Sequence, residues 1–222
     1  MTVTVHHLEQ SRSQRIIWLF EELGIQYDIK VYKRNSKTML APPELLQIHP
    51  LGKSPVITDG STTVAESGAI IEYLIRTYGN GKNLRPDESS PNRIAYDFWL
   101  HFAEGSAMTP ILMALYFTKF ADKDTAAKVK RDVTSPSFEK HVNFFEGELE
   151  KSAFFAGDEI TGADINMSFP IETMAGADMI GKAQPKLSAW LSKIQARPAY
   201  KKALQRGGEE NYQPAAFKSM IQ

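Results

Sequence analysis

The fold is decided by residues 51–74, which read LGKSPVITDGSTTVAESGAIIEYL. The apolar run after Pro55 predicts a short strand. A proline has no N–H for a sheet ladder, so it belongs there only at an edge or a turn. A cis bond between Ser54 and Pro55 satisfies this condition, because cis X–Pro bonds typically occur in tight turns. Such a turn is predicted to direct the N–H and C=O of Val56 outward, where they can pair with an extended peptide.

The same stretch contains a predicted helix start. The periodicity changes from strand to helix at Ser67, directly after Glu66. A helix N-terminus has free N–H groups and carries about half a positive charge, so it attracts a carboxylate. The Ser67 hydroxyl adds a donor, and Glu66 can accept a hydrogen bond from an ammonium group. These two residues therefore predict the binding of a ligand that carries both charges of an amino acid.

Three further segments belong with this stretch. They read HHLEQSRSQRIIWLFEELGIQYDI near the start, LHFAEGSAMTPIL in the middle and ITGADINMSFPI toward the end. In this order, the four segments resemble the cytosolic glutathione S-transferase family over nearly the whole chain. The motifs SRSQR, APPELLQIHPLGKSP and AEGSAMTP are most similar to the Gtt-type subgroup, which fungi and bacteria share and yeast enzymes typify. The resemblance implies that the ligand is glutathione, acting as co-substrate.

The order of patterns predicts two domains, α/β followed by all-α. Strand, helix and strand patterns, then a hairpin and a helix, fill residues 1–80. The resemblance makes this region a thioredoxin-like, glutathione-binding domain. Residues 81–91 are rich in Gly, Pro, Asn and Ser and are predicted to form a linker. The patterns of residues 92–222 are helical, and this region is predicted to be a helical bundle that contributes the pocket for the electrophile.

The charge balance restricts the expected partners. The chain of 222 residues carries 26 basic and 26 acidic residues, so its formal net charge is zero. This balance gives no reason to expect nucleic acid or an anionic membrane as a partner. No long apolar run predicts a membrane span, and the opening MTVTVHHLEQ lacks the features of a secretion signal. We therefore expect a cytoplasmic location, and the resemblance implies a homodimer.

The chain contains no cysteine. This absence excludes disulfide bonds, thiolate metal sites and an enzyme cysteine that acts as nucleophile or redox partner. No metal is expected, and a reacting thiol must come from the ligand. The resembled family includes members with an active-site cysteine and members that activate glutathione through a hydroxyl group. This chain cannot be of the cysteine type.

The catalytic hydroxyl is predicted in Ser11-Arg12-Ser13, at the first junction from strand to helix. A thiol has a reference pKa of about 8.5, which helix N-termini and nearby cations lower. By resemblance, Ser11 is the first candidate to donate to the glutathione sulfur, and Ser13 is the second. Ser11 and Gln14 also fit a capping box, S-x-x-Q, in which Ser11 would only satisfy helix N–H groups. A third alternative is that backbone or other polar groups contact the sulfur.

The resemblance extends the glutathione site to six residues, His49, Lys53, Pro55, Val56, Glu66 and Ser67. Lys53 is predicted to pair with the glycine carboxylate of glutathione as a point charge, although a solvated lysine is the alternative. His49 either hydrogen-bonds the same end of the ligand or is a surface group. Glu66 and Ser67 are predicted to bind the γ-glutamyl end.

The electrophile pocket is predicted on a later helix, where apolar residues recur at helical spacing. Its first candidates are Glu104, Met108, Leu112 and Tyr116, and Met113 and Phe117 lie on or near the same helical face. An adaptable methionine in such a pocket accepts substrates of varied shape. Apolar residues at helical spacing usually belong to the core, however, and that alternative stays open for each of them.

Two carboxylates lie in largely apolar surroundings, where a charge needs a partner. Glu104 either reaches the active cleft or forms a structural pair with Arg15 or His101. Asp164 follows Thr161 by three residues at a predicted helix start, which is the spacing of reciprocal capping. We therefore assign Thr161 and Asp164 to structure rather than to ligand binding.

The resemblance implies an enzyme that binds glutathione, stabilises its thiolate and conjugates it to small hydrophobic electrophiles, as detoxification enzymes do. One alternative is a glutathione-dependent reductase of disulfides or peroxides, in which a second glutathione resolves the mixed disulfide. Another alternative, from a different class, is a non-catalytic glutathione-binding, ligand-binding or interaction protein on the same fold.

Overall fold

The structure is a computed structural model that describes residues 2–218. Its contacts divide these residues into two compact units. The first comprises residues 2–84 with Gln195–Gln213, and the second comprises Arg85–Ile194 with residues 214–218. Met1 and residues 219–222, which the predicted domains include, lie outside the described residues.

The first unit is built on a mixed sheet, which has four strands within the described residues. In chain order they are β1 (Val3–Leu8), β2 (Tyr27–Tyr32), β3 (Val56–Asp59) and β4 (Thr62–Ala65). The order across the sheet is β2-β1-β3-β4. Strands β1 and β2 are parallel, whereas β3 is antiparallel to both of its neighbours. The predicted thioredoxin-like arrangement is confirmed.

Two helices follow strands of this sheet. Parallel neighbours need a crossover connection, and α1 (Ser13–Leu23) supplies it between β1 and β2. Its buried residues are mostly apolar, among them the fully buried Ile16, Ile17, Leu19 and Phe20. Helix α2 (Ser67–Tyr78) follows β4. A 3₁₀ turn, Pro43–Gln47, precedes β3 and contributes the fully buried Leu45 to a small cluster with Leu8, Tyr32 and Val56.

The second unit is helical in its described residues. Its helices are α3 (Arg93–Phe102), α4 (Met108–Phe120), α5 (Lys123–Val129), α6 (Ser135–Leu149), α7 (Gly162–Gly176) and α8 (Pro185–Gln195). One-turn π-helical segments, Ala103–Ala107 and Lys130–Thr134, join α3 to α4 and α5 to α6. Of the described residues, no helix is both long enough and apolar enough to cross a lipid bilayer.

Helix α7 is the centre of the second unit, because each residue from Gly162 to Met174 is buried. It begins with the predicted capping box, which is confirmed. Asp164 Oδ2 accepts from the Thr161 N–H at 2.9 Å, and the Thr161 hydroxyl accepts from the Ala163 N–H at 3.3 Å. Asp164 also accepts from the Phe155 N–H at 3.0 Å and from Trp190 Nε1 at 3.2 Å. This fully buried carboxylate is therefore structural.

Helix α9 (Pro198–Gly207) belongs to the first unit. Tyr200 packs edge-on against Trp18 of α1, with ring centroids 5.3 Å apart. Arg197 forms an ion pair with Glu22, 2.6 Å between Nε and Oε1. The predicted helical region 92–222 thus divides between both units. Its helical periodicity predicted α9 correctly but could not show which unit the helix packs against.

Candidate active site

The junction between β1 and α1 holds both predicted catalytic serines. Helix α1 begins at Ser13, and Ser11 Oγ accepts from the Ser13 N–H at 3.2 Å. This bond confirms the alternative in which Ser11 satisfies a helix N–H group. The reciprocal capping box with Gln14 does not form, because the residue before the helix is Arg12 and the Gln14 side chain has no hydrogen bond to Ser11. Ser11 thus accepts through its oxygen and keeps a hydroxyl proton to donate.

The two serine hydroxyls form a buried chain with His7. The Oγ atoms of Ser11 and Ser13 are 2.7 Å apart, and Ser13 Oγ lies 2.8 Å from His7 Nδ1. Ser13 Oγ also lies within donating distance, 3.3 Å, of the Leu8 carbonyl. Ser13 is 0% exposed and Ser11 is 5% exposed. The Ser13 hydroxyl is thus surrounded by protein hydrogen-bonding partners, whereas Ser11 lies nearer the surface.

His7 remains uncharged at neutral pH. Burial lowers the pKa of its imidazole to about 4, and the backbone of Gly207 opposes this shift only in part. A neutral imidazole has one donor and one acceptor nitrogen, so it can hold Ser13 without adding a charge. His7 was not among the residues predicted from the sequence. It could have been found from its position, because it shares the inward face of a predicted strand with Val3 and Val5.

Two guanidinium groups lie close to this junction. Arg34 donates to the carbonyls of Glu9 and Gln10 at 3.0 Å each. Burial lowers the pKa of Arg34, the charge of Glu9 raises it, and the like charge of Arg12 lowers it further. The positive charge at this junction favours an anion nearby, and the Glu9 carboxylate, which accepts from the Arg34 N–H at 2.6 Å, already supplies one.

The turn before β3 has the predicted backbone. The Ser54–Pro55 peptide is cis, which is confirmed. Ser54 Oγ donates to the His6 carbonyl at 2.9 Å and ties the turn to β1. Val56 is the first residue of β3 and lies opposite His6 and Ala65 in the sheet. The outward pairing of its N–H and C=O with a peptide stays a prediction.

His49 and Lys53 lie in the loop that leads to this turn. His49 is half-buried, and its Nδ1 accepts from the Leu51 N–H at 3.3 Å. The Gly52 N–H donates to the His49 carbonyl at 2.9 Å. Gly52 has a φ of +56°, and a Cβ there would approach Leu46 Cδ2 to 2.8 Å, so the turn requires glycine. Lys53 is exposed. The loop therefore presents a lysine next to the cis turn.

Glu66 and Ser67 lie at the predicted helix start, which is confirmed. Helix α2 begins at Ser67, and Glu66 before it has φ +70° and ψ 124°. A non-glycine residue with such a φ is uncommon and is often found at functional sites. Ser67 is 3% exposed, and its Oγ accepts from Arg15 Nη2 at 2.7 Å. Glu66 is exposed, so its carboxylate is open to a ligand.

The contact between Arg15 and Ser67 was missed in the sequence. Arg15 is 2% exposed within the buried side of α1. A basic residue among Ile16, Ile17 and Trp18 signals a buried charge, which needs hydrogen-bonding partners. That signal shows that a partner exists, but the partner itself lies 52 residues away in the chain.

The four electrophile-pocket candidates lie in the second unit, in differing surroundings. Met108 is 2% exposed and belongs to the core, whereas Tyr116 is 53% exposed. Leu112 is half-buried on α4, and Glu104 is half-buried in the first π-helical segment. A hollow of about 340 Å³ in this unit is lined by other residues, including Phe102, Thr109, Met113 and His141. The pocket role of the four candidates stays a prediction.

The fold and these helix starts define a thioredoxin-like domain joined to a helical unit, which is the architecture of glutathione S-transferases. Family models match in both parts. The model of the glutathione S-transferase N-terminal domain matches residues 11–77, and that of the C-terminal domain matches residues 106–198. The chain belongs to the glutathione S-transferase family. It is a glutathione transferase enzyme of the predicted Gtt-type subgroup.

Known relatives agree with this assignment. The chain is 32% identical to glutathione S-transferase 3 of Schizosaccharomyces pombe, with 92% of this chain and 87% of the relative covered. It is 30% identical to glutathione S-transferase 1 of Saccharomyces cerevisiae, with 89% and 92% covered. A crystal structure of a glutathione S-transferase from Actinobacillus pleuropneumoniae is similar at 34% identity with a TM-score of 0.79. That match covers 96% of this chain and 100% of the other.

Proposed function

We propose that this enzyme binds glutathione at the starts of α1 and α2, stabilises its thiolate and conjugates it to small hydrophobic electrophiles. The observation that carries the proposal is the 2.7 Å hydrogen bond from Arg15 Nη2 to Ser67 Oγ. Arg15 lies in the first turn of α1, four residues after Ser11, and Ser67 is the first residue of α2. This bond connects the predicted thiol site to the predicted γ-glutamyl site.

The γ-glutamyl end of glutathione is a zwitterion and needs partners of both signs. Ser67 and the first N–H groups of α2 bind its carboxylate, because a helix N-terminus favours an anion. Glu66 accepts from its ammonium group. The backbone at the cis turn that precedes Val56 pairs with the extended peptide backbone of glutathione. Lys53 and His49 bind the glycine carboxylate at the other end.

The thiol of glutathione loses its proton beside Ser11. A hydroxyl that donates to sulfur stabilises the thiolate more than the thiol, and so does positive charge from Arg12 and Arg34. Each unit by which the thiol pKa falls raises the ratio of thiolate to thiol about tenfold at a given pH. We assign the donor role to Ser11 rather than Ser13, because Ser11 is 5% exposed whereas Ser13 is 0% exposed, so the Ser11 hydroxyl can turn from its contact with Ser13 Oγ toward a ligand. The thiolate then attacks an electrophilic carbon, and the leaving group departs with its electron pair.

The electrophile binds at the second unit. Leu112 and Tyr116 are its first candidates, because both have exposed surface on α4, and Glu104 contributes a polar group. Met108 supports them from the core. We further propose a cytoplasmic homodimer that acts in detoxification; the family assignment supports this part of the proposal. No metal takes part in the proposed reaction.

The test measures ultraviolet absorbance of the glutathione thiolate on the protein as a function of pH, for the wild type, Ser11→Ala and Ser13→Ala. We expect a lowered thiol pKa in the wild type and a rise toward the free value of about 8.5 in Ser11→Ala. Glutathione affinity should change little in Ser11→Ala, while kcat falls. A thiol pKa equal in the wild type and Ser11→Ala would contradict the assignment of Ser11.

Activity assays with a chlorinated aromatic and a glutathione mixed disulfide complete this test. Faster turnover of the chlorinated aromatic supports conjugation as the main activity. Preference for the mixed disulfide would replace conjugation by glutathione-dependent reduction. Tight glutathione binding with an unshifted thiol pKa and no turnover would make the chain a binding protein on a transferase fold.

A further inference from the structure

Gln10, the residue before Ser11, has an unusual backbone conformation. Its φ is +49°, which lies in the left-handed region. Few residues other than glycine, Asn and Asp adopt this region. A strained conformation of this kind persists when surrounding contacts hold it, and such residues cluster at functional sites. Gln10 must therefore be fixed by its neighbours.

The neighbours come from residues 208–213, which we call the brace. The Gln10 N–H donates to the Asn211 carbonyl at 2.6 Å, and Gln10 Nε2 donates to the Glu210 carbonyl at 3.3 Å. The Gln213 N–H donates in turn to Gln10 Oε1 at 3.0 Å. The brace thus binds the backbone of Gln10 and both polar atoms of its side chain.

Arg34 holds the other side of the same peptide. Its Nη2 donates to the Gln10 carbonyl at 3.0 Å, and its Nε donates to the Glu9 carbonyl at 3.0 Å. Hydrogen bonds from a charged donor are stronger than those between neutral groups. The N–H and the C=O of Gln10 are therefore both occupied, which leaves its backbone little freedom to rotate.

The brace is itself anchored to the first unit. Asn211 is 7% exposed and Tyr212 is 5% exposed, and Asn211 Nδ2 donates to the Gly207 carbonyl at the end of α9 at 2.7 Å. The turn between α9 and the brace requires glycine, since Gly208 has a φ of +85° and a Cβ there would meet Asn211 Nδ2 at 2.5 Å. Because α9 packs on α1, the brace has a fixed position relative to the start of α1.

We propose that the brace and Gln10 position Ser11 for thiol activation, so that Gln10 is a positioning residue of the reaction. This inference rests on the proposed role of Ser11. Ser11 is held on one side by its 2.7 Å contact with Ser13 Oγ and on the other by its peptide bond to Gln10. Without the brace, Gln10 relaxes to a negative φ, and the Ser11 hydroxyl turns away from the sulfur.

Four variants test this on the full chain. Gln213→Pro removes the N–H that binds Gln10 Oε1, whereas Gln213→Ala keeps that N–H and serves as its control. Gln10→Met removes both side-chain hydrogen bonds at nearly constant size, and Ser11→Ala provides the reference for a lost donor. Three quantities are measured. They are amide hydrogen exchange at residues 10–13 without ligand, the thiol pKa of bound glutathione, and the Kd of glutathione.

We expect Gln213→Pro and Gln10→Met to speed amide exchange at residues 10–13 by about tenfold or more, because local opening becomes easier. The thiol pKa should rise by about one unit, which lowers the thiolate equilibrium about tenfold, while the Kd of glutathione stays within about twofold. Gln213→Ala should behave as the wild type in each measurement.

Three outcomes would overturn the inference. Unchanged exchange in both variants would show that the brace does not hold the junction. Faster exchange with an unchanged thiol pKa, or with weakened glutathione binding instead, would show a merely structural role. If Ser11→Ala also leaves the thiol pKa unchanged, the proposed function of Ser11 fails as well, and the ligand-free exchange data separate these two failures.

Discussion

Arg15 Nη2 donates a hydrogen bond to Ser67 Oγ at 2.7 Å, and both side chains are buried. A guanidinium group has donors and no acceptor, so Ser67 is the acceptor in this bond. The Ser67 hydroxyl proton is therefore available to a second acceptor, such as a carboxylate. The contact prepares Ser67 to act as a donor at the start of α2, where the helix dipole also favours an anion.

Replacing Ser67 is expected to weaken glutathione binding. Ser67→Ala removes a hydrogen bond to a charged group, worth about 1.5–3 kcal/mol, so the Kd should rise roughly 10- to 100-fold by calorimetry. Ser67→Thr keeps the hydroxyl and should retain most of the affinity. The pKa of the bound thiol should stay as in the wild type. A Ser67→Ala protein with normal affinity and a raised thiol pKa would reverse the division of roles between Ser67 and Ser11.

His7 is expected to make stability depend on pH. Burial lowers its pKa from 6.5 to about 4 in the folded protein. Between these values the unfolded chain binds more protons, so stability is fully present above pH 6.5 and is lost as the pH falls toward 4. The linked loss of unfolding free energy is about 3 kcal/mol.

His7→Asn isolates this effect, since asparagine places an amide near Ser13 and does not titrate. Urea unfolding at several pH values should show a smaller loss in His7→Asn than in the wild type. The pKa of His6 is also lowered, by burial and by the charge of Lys30. Because both proteins contain His6, its contribution cancels when their pH profiles are compared. Parallel pH profiles for the two proteins would contradict a neutral, buried His7.

Asp164 is expected to be among the most sensitive positions for stability. Asp164→Ala leaves the buried N–H groups of Phe155 and Thr161 and the Trp190 indole without this acceptor. The expected loss of unfolding free energy is roughly 3–5 kcal/mol, measured by denaturant unfolding. Asp158→Ala, at an exposed carboxylate, should change it by about 0.5 kcal/mol or less. Comparable losses in the two variants would contradict the structural role of Asp164.

Substitutions of Tyr116 and Met108 are expected to affect different properties, the KM for the electrophile and stability, although both residues lie on α4. Tyr116→Ala should raise the KM for an aromatic electrophile by up to about tenfold, because an exposed aromatic surface is lost from the pocket. The Kd of glutathione should not change, and Tyr116→Phe should preserve the KM. Met108→Ala should instead lower stability by about 2–5 kcal/mol, as truncations in a core do. If Tyr116→Ala lowers only stability and leaves the KM unchanged, Tyr116 does not line the electrophile pocket.

Much of the first unit could be predicted from the chain alone. The cis turn at Pro55 and the helix start at Ser67 depend on neighbouring residues, and both are confirmed. The capping box at Thr161 and Asp164 is local in the same way. The reciprocal capping box of Ser11 and Gln14 was wrong, because the helix begins at Ser13 and the Gln14 side chain does not return to Ser11, so the S-x-x-Q motif alone did not fix the helix start.

The sequence by itself determined most of the elements and the family and supplied the candidate site residues, since these follow from local backbone preferences and motifs. Only the tertiary structure decided which distant groups meet. It joined Arg15 to Ser67, linked Ser11 through Ser13 to His7, and packed α9 on the first unit. Such contacts satisfy buried polar groups with partners far along the chain, and local patterns do not encode which partner is near.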